Sequence, residues 1–136
     1  MRHLRREGEN SGGIKFDQVN RYWVETYNID GFRFDFTKGF ANTTASFSVE
    51  RINNIKRMSD SIWSFDPSQY VILEHWCDNN EEEQLADYGC MLWGNVTFGY
   101  QNAAKGYIAN SSLMNGIYTN RTWALPHLIT YMESHD

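Results

Sequence analysis

The stretch DGFRFDF, residues 30–36, decides the fold, because its phenylalanines alternate with two charged residues. Successive side chains of a strand point to opposite faces of the sheet. One face of this strand carries Phe32, Phe34 and Phe36, and the other carries Arg33 and Asp35. Taken alone, the pattern also fits an exposed edge strand whose polar face is in water. The rest of the chain must decide whether this charged face is exposed or lines an interior.

The segments around this strand predict alternating helices and strands. Residues 1–15 are charged and lack hydrophobic periodicity, which predicts an irregular lead-in, whereas apolar residues at helical spacing from Phe16 predict a helix that ends near Asn28. Acidic residues 81–83 predict the solvated start of a short helix. The remaining patterns predict a helix over residues 48–64, strands over residues 70–76, 90–96 and 128–132, and short helical pieces between residues 98 and 126.

Strands that alternate with helices predict βαβ units and a parallel sheet, hence an α/β fold. Two architectures remain open, a doubly wound sheet and an arc of a (β/α)8 barrel. Carboxylates follow three of the strands, with 39 residues from Asp35 to Glu74 and 62 from Glu74 to Asp136. A barrel of about 250 residues uses roughly 31 residues for each strand and helix. The gaps therefore predict one and two units, and place all three carboxylates at the C-terminal mouth of a barrel.

The barrel interpretation explains the opening strand. Its three phenylalanines are expected to pack against the helix layer, while Arg33 and Asp35 face the interior. Arg33 can then hold the Asp35 carboxylate ionised and oriented.

The composition excludes several classes of function. A length of 136 residues fits one domain, and the 41% hydrophobic and 21% charged residues are typical of a globular chain. The net charge of -5 and the lack of a large basic patch argue against nucleic-acid binding. No apolar run approaches the roughly 18 residues that cross a bilayer, and residues 1–13 do not resemble a signal peptide. Cys77 and Cys90 are expected at opposite rims of the sheet, too far apart for a disulfide.

Three segments, in order, resemble the signature segments of the α-amylase family of glycoside hydrolases, family 13. They are GFRFD at residues 31–35, ILEHW at residues 72–76 and ESHD at residues 133–136. FTKGF at residues 36–40 and MLWGN at residues 91–95 are also similar to stretches of starch-active members. The resemblance covers residues 16–136 and implies part of a TIM-type (β/α)8 barrel, about strands four to seven, truncated at both ends.

The resemblance implies a retaining hydrolase of α-glucosidic bonds, most simply the α-1,4 bonds of starch-like glucans or malto-oligosaccharides. Asp35 would be the nucleophile, Glu74 the acid/base, and Asp136 the carboxylate that stabilises the transition state. The apolar surroundings of Glu74, beside Trp76, favour a retained proton. Arg33, Lys38 and His135 would bind or position the substrate.

Departures from the family pattern leave alternatives open. Gly39 stands where many amylases have His, which affects the aglycone subsites and calcium binding, and Ser134 stands where Asn is usual. The family's segment near the third strand is absent, so this chain alone is not expected to be a competent amylase. The alternatives are a transglycosylase, an oligosaccharide α-glucosidase, or an inactive fragment that only binds carbohydrate.

No cofactor is required for this chemistry, and no metal ligand is assigned. The resemblance allows a structural calcium ion in a longer parent protein, whose location would be secreted or periplasmic. No protein partner is implied.

Overall fold

The computed structural model describes the backbone of residues 7–135. Side chains are described from Lys15 onward, and before that residue only the surroundings of Gly13 are described. The chain has an α/β fold, as predicted, and each of the four predicted strands is present. The elements are α1 (Glu7–Tyr27), β1 (Gly31–Phe34), α2 (Val49–Phe65), β2 (Tyr70–Leu73), α3 (Asn79–Tyr88), β3 (Met91–Asn95), α4 (Thr97–Ala104) and β4 (Leu128–Tyr131). Short 3-10 turns lie at Thr37–Gly39, Ile108–Asn110, Met114–Gly116 and Tyr118–Arg121.

The four strands form one parallel sheet in chain order, β1-β2-β3-β4. Phe34 pairs with Leu73, and Leu73 pairs with Leu92, so the strands end near one another at the same rim. Within residues 7–135, β1 and β4 each have one neighbouring strand. A parallel sheet of this order is compatible with an arc of a barrel.

One face of the sheet is covered by helices and forms the apolar core. Phe32 and Phe34 pack against this core, as predicted from the alternation in β1. The buried core residues are Ile52, Ile55, Met58, Ile62, Val71, Leu73, Leu85, Ala86, Cys90, Leu92 and Trp123. Burying one such aliphatic side chain contributes about 1.5–3 kcal/mol, so this face holds the helices on the sheet.

Local signals in the sequence set the ends of the helices that flank the site. Ser48 caps α2 by accepting a hydrogen bond from the Arg51 backbone N–H at 3.3 Å. Asp78 caps α3 by accepting one from the Asn80 N–H at 2.9 Å. Gly89 ends α3 with a φ of 118°, a left-handed conformation that favours glycine.

Helix α1 is longer than the sequence predicts. It begins at Glu7, so the prediction of an irregular lead-in is wrong for residues 7–15, and residues 1–6 lie outside the described residues. Helix α1 is tied to α2, because Asp17 accepts hydrogen bonds from Arg57 at 2.8 and 3.2 Å. The Arg57 side chain also lies against Gly13, where a Cβ would sit 3.6 Å from the guanidinium carbon. Tertiary contacts thus offset the poor helix propensity of this glycine.

Phe36 does not pack against the helices, which corrects a second prediction. The strand ends at Phe34, and Phe36 is 56% exposed with a φ of 44°. The backbone turns here because the Phe36 N–H donates to the Glu74 side chain at 3.0 Å and does not continue the sheet.

Both cysteines are free thiols, as the sequence predicts. Burial raises the pKa of Cys77 and of Cys90 to about 11, so both thiols are uncharged at neutral pH. Among the described residues, no helix is both long and apolar enough to pass through a bilayer.

Candidate active site

The candidate site begins where β1 and β2 end side by side. The Glu74 N–H donates to the Phe34 carbonyl at 3.0 Å, and the Thr37 N–H donates to the Glu74 carbonyl at 2.8 Å. Asp35 and Glu74 follow these strand ends directly, and their side chains lie on the face opposite the helices. One carboxylate oxygen of each residue and a ring nitrogen of His135 lie within 4.8 Å of one another. The structure therefore brings together three residues that the sequence predicts to act together.

Glu74 is buried, with 2% of its surface exposed, and its two oxygens differ. Oε2 accepts the Phe36 N–H and lies 2.8 Å from Arg33 Nη2, close enough for an ion pair although the two are not aligned for a hydrogen bond. Oε1 is buried and has no hydrogen-bond partner among residues 7–135. Burial raises the pKa of Glu74 above its ordinary value, and it outweighs the opposing effect of the Phe36 N–H; the nearby Asp35 raises it further. Glu74 is thus suited to keep a proton.

Asp35 has the opposite environment, because its side chain is 63% exposed. The neighbouring Glu74 carboxyl lowers the pKa of Asp35, and the charges of Arg33 and His135 lower it as well. Arg33 Nη1 donates to Asp35 Oδ1 at 2.5 Å, and His135 Nε2 lies 3.2 Å from the same oxygen. The opposite pKa shifts favour a protonated Glu74 and an ionised Asp35.

Arg33 joins the two carboxylates and is itself held by an aromatic ring. One of its terminal nitrogens faces Asp35 and the other faces Glu74. Its guanidinium carbon lies 4.0 Å from the centre of the Trp93 ring, a cation–π contact. Trp93 in turn packs edge-on against Tyr131 of β4, with ring centres 4.8 Å apart. All four strands therefore contribute to the face that carries the carboxylates.

The other predicted site residues have different outcomes. Lys38 lies in the turn Thr37–Gly39, and within residues 7–135 no hydrogen bond or ion pair joins its ammonium group to either carboxylate, so its role stays a prediction. His135 is placed beside Asp35, and its Nδ1 lies 3.0 Å from the Ser134 hydroxyl. Asp136 lies outside the described residues, and its role also stays a prediction.

A buried polar network next to the site was not predicted from the sequence. The acidic run at residues 81–83 was expected in solvent, but Glu81 is fully buried and Glu82 is nearly so. Glu81 accepts hydrogen bonds from Arg51 Nε at 2.6 Å and Nη2 at 2.8 Å, and from the Ser48 N–H at 2.7 Å. His75, the residue after Glu74, lies with Nε2 2.9 Å from Glu81 Oε1. The only signal in the sequence is the adjacency of His75 to Glu74 in ILEHW.

Glu82 forms a second buried contact beside this network. Its carboxylate accepts the Cys77 N–H at 3.1 Å and pairs with Arg121 at 2.7 Å. Burial raises the pKa of Glu82 despite the Arg121 charge. Together these bonds fix the turn at Trp76, which has a left-handed φ of 50°. This turn follows β2 directly and borders the site.

Two groups of side chains have ligand atoms close enough for a metal ion, His75 with Cys77 and Glu81, and Asp35 with Glu74 and His135. Each group contains a carboxylate already paired with an arginine. Calcium takes six to eight oxygen ligands, and neither group offers them. The described residues therefore do not assign the calcium site that the resemblance allows.

A cleft of about 450 Å³ lies at the same rim of the sheet, at the C-terminal end of β3. The residues that line it are Asn95, Val96, Thr97, Phe98, Gly99, Gln101, Ser112 and Asn115. Neither Asp35 nor Glu74 lines this cleft. It is therefore a neighbouring surface feature and does not contain the paired carboxylates.

The chain matches no protein-family model. No curated protein matches it either. An inference about its function therefore depends on the chemistry of the described residues and on the sequence patterns given above.

Proposed function

We propose that this chain carries the catalytic carboxylates of a retaining glycoside hydrolase of α-glucosidic bonds. The observation that carries the proposal is the pair formed by Asp35 and Glu74, on neighbouring strand ends, with pKa values shifted in opposite directions. Retaining glycosidases need two carboxyls about 5–5.5 Å apart, one ionised and one protonated. Asp35 and Glu74 each bring one oxygen to within 4.8 Å of the other, and Arg33 faces both carboxyls, so the two groups are close neighbours, as the retaining class requires.

In the first step Glu74 donates its proton to the glycosidic oxygen, while Asp35 attacks the anomeric carbon and forms a glycosyl ester. In the second step Glu74, now a carboxylate, takes a proton from water, and the water oxygen displaces Asp35 from the sugar. Arg33 faces both carboxyls, so its charge offsets Asp35 before the attack and Glu74 after it. The same guanidinium therefore stabilises whichever carboxylate is charged.

We further propose that the parallel sheet is an arc of a (β/α)8 barrel, about strands four to seven. The order of the strands supports this, as does the division between one helix-covered face and one face with charges and aromatic rings. The choice of α-1,4 bonds in starch-like glucans depends on the sequence resemblance alone. A transglycosylase or an oligosaccharide α-glucosidase would use the same two carboxyls.

The test is covalent trapping of the nucleophile with a 2-deoxy-2-fluoro glucosyl fluoride, followed by peptide mapping. It uses two proteins: the 136-residue chain, and a chimera in which residues 16–136 replace the matching segment of an α-amylase-family barrel. The chimera supplies neighbours for β1 and β4, each of which pairs on one side only within the described residues. We expect the label on Asp35 in the chimera.

The matched control is Asp30→Asn, which changes an exposed aspartate at the other end of the same strand. Asp35→Asn should abolish labelling, and Asp30→Asn should not. A label on Glu74, or a product with inverted configuration, would contradict the retaining assignment. Binding of malto-oligosaccharide by a chimera that neither labels nor turns over substrate would favour the non-catalytic alternative.

A further inference from the structure

The backbone turn after Asp35 is strained, and the strain has a use. Phe36 has φ 44° and ψ 50°, a left-handed conformation that is unfavourable for a residue other than glycine. This conformation aims the Phe36 N–H at Glu74 Oε2, 3.0 Å away. Phe36 lies beyond the end of β1, so the hydrogen bonds between strands do not hold this conformation. Another contact must keep the turn in place.

Thr37 provides that contact, since it is fully buried directly after the turn. Its N–H donates to the Glu74 carbonyl at 2.8 Å, and its hydroxyl lies 3.0 Å from the same carbonyl. The hydroxyl also lies 2.9 Å from His75 Nδ1. The main chain of Glu74 is therefore bound by Thr37 while its carboxyl is bound by the neighbouring N–H.

The hydrogen-bond partners of His75 determine its tautomer. The ionised Glu81 carboxylate can only accept hydrogen bonds, so His75 Nε2, which faces it at 2.9 Å, must carry a hydrogen. In a neutral ring Nδ1 is then the acceptor, and the single Thr37 hydroxyl hydrogen points to it. If His75 were protonated, Nδ1 would donate to Thr37, and the hydroxyl would turn toward the Glu74 carbonyl.

The charged groups around His75 favour the neutral ring. Burial lowers the pKa of His75, against the influence of Glu81, and the cations Arg51 and Lys38 lower it further. Glu81 is held in place by Arg51 and by the Ser48 N–H. Arg51 also donates to the backbone carbonyls of Lys38, Ala45 and Ser46. The ring of His75 therefore has a fixed partner on each nitrogen.

We propose that His75, acting through Thr37 and fixed by Glu81, is a positioning residue that keeps the strained Phe36 turn closed on the carboxyl of Glu74. Its role as an aid to catalysis rests on the proposed function, but the geometry that it holds does not. His75 does not touch the reacting atoms. It acts by ordering the one backbone donor that binds Glu74 Oε2, and so sets how the acid/base is oriented and how readily it gives up its proton.

The experiment is NMR of the 136-residue chain with labelled histidine, glutamate and amide nitrogen. We expect His75 to be the neutral Nε2–H tautomer at pH 7, and the Phe36 amide proton shift to follow the titration of Glu74. Thr37→Val and His75→Phe should abolish this dependence. They should also raise the pKa of Glu74 by about one to two units, since a hydrogen bond to a charged group is worth about 1.5–3 kcal/mol.

Two further variants separate positioning from general loss of stability. Thr37→Ser keeps the hydroxyl and should restore the Phe36 signal. Ser59→Ala removes another buried hydroxyl, bonded to the Ile55 carbonyl, and should leave both the Phe36 signal and the pKa of Glu74 unchanged. If His75→Phe does not fold, the comparison of Thr37→Val with Thr37→Ser decides alone. An Nδ1–H tautomer, or a Phe36 amide that still follows Glu74 in Thr37→Val, overturns the proposal.

Kinetics of the chimera separate this inference from the proposed function. With an active chimera, Thr37→Val should lower kcat by about 10–100-fold with little change in KM, because small misplacements of a catalytic group are costly. The basic limb of its pH profile should move upward with the pKa of Glu74. A chimera without glycosidase activity contradicts the proposed function, and the NMR result then still decides whether His75 positions Glu74.

Discussion

Two glutamates at the same end of the sheet, Glu74 and Glu81, are both buried but have opposite electrostatics. Glu81 accepts two hydrogen bonds on each oxygen, from Arg51, from His75 and from a backbone N–H. Burial alone would raise its pKa, but these donors outweigh burial and the pKa is lowered. Among the described residues, Glu74 has one backbone donor, one poorly aligned arginine and an oxygen with no hydrogen-bond partner, and its pKa is raised.

The difference teaches that the pKa of a buried carboxyl depends on whether its donors outweigh burial. They do so at Glu81, and burial prevails at Glu74 and at Glu82. A fully bonded carboxylate such as Glu81 is a structural anion that organises the loops around it. A carboxyl whose donors do not outweigh burial, such as Glu74, favours its protonated form, and under the proposed function it would transfer that proton to a substrate. The network at Glu81 therefore holds the framework, and the incomplete set of donors at Glu74 leaves it reactive.

The largest expected effect is on catalysis at Glu74. In the chimera, Glu74→Gln should lower turnover of substrates with poor leaving groups by about 10²–10⁴-fold, because they need a proton from the acid. Aryl glycosides with good leaving groups should lose much less in the first step. Azide should restore turnover and give a glycosyl azide of retained configuration. Equal losses for good and poor leaving groups would show that Glu74 is not the acid.

The second prediction breaks the network at Glu81. Arg51→Met leaves a buried carboxylate without its main partner, and should lower the free energy of unfolding by about 3–5 kcal/mol. Urea denaturation of the chain and of the chimera measures this. The matched control is Arg57→Met, because Arg57 forms a largely exposed pair with Asp17, worth about 0–1 kcal/mol. Similar losses of unfolding free energy in both variants would mean that the buried pair stabilises the fold no more than the exposed pair does.

The third prediction compares the two glutamates directly. Glu81→Gln turns an amide NH₂ toward donors that need an acceptor, and should cost about 1–3 kcal/mol of unfolding free energy. Glu74→Gln removes a group whose charged form is opposed by burial, and should change stability by about 0.5 kcal/mol or less at pH 7. Both values come from urea denaturation with unchanged m-values. A larger loss for Glu74→Gln than for Glu81→Gln would reverse the comparison.

Local patterns were enough to predict much of the fold. Period-two alternation correctly predicts Phe32 and Phe34 on the helix side of the sheet and Arg33 on the other side. The pattern failed at Phe36, because the strand ends where the Glu74 carboxyl takes the backbone N–H that a longer strand would give to its neighbour. The start of α1 was missed because residues 7–15 carry no apolar periodicity.

The candidate site was predictable only where strands define it. The spacing of Asp35 and Glu74 along the chain matched one strand and helix, and the register then set the two carboxyls side by side. The burial of Glu81 could not be read in this way, because its partner Arg51 lies 30 residues away on another helix. An acidic residue in the first turn of a helix fits solvent equally well. Long-range pairing of charges leaves no periodic trace in a sequence.

The last and smallest prediction concerns pH, where His75 and Glu74 act in opposite directions. The pKa of His75 is lowered from an ordinary 6.5, so just below pH 6.5 the unfolded chain binds a proton that the folded chain does not. Stability contributed by neutral His75 is therefore present above this pH and is lost as pH falls toward the lowered value. The pKa of Glu74 is raised from 4.5, so above pH 4.5 the folded chain binds more protons and stability increases as pH falls. Each group changes the unfolding free energy by at most about 1.4 kcal/mol per pH unit.

Urea denaturation between pH 7.5 and 4.5 should thus show that the unfolding free energy of the parent chain depends only weakly on pH. In Glu74→Gln only the His75 effect remains, so stability should fall more steeply as pH is lowered. His75→Phe should leave the opposite slope, a protein that becomes more stable as pH falls from 6.5. If both variants keep the slope of the parent chain, other groups control the pH dependence, and the contrast between the two carboxyl environments does not extend to stability.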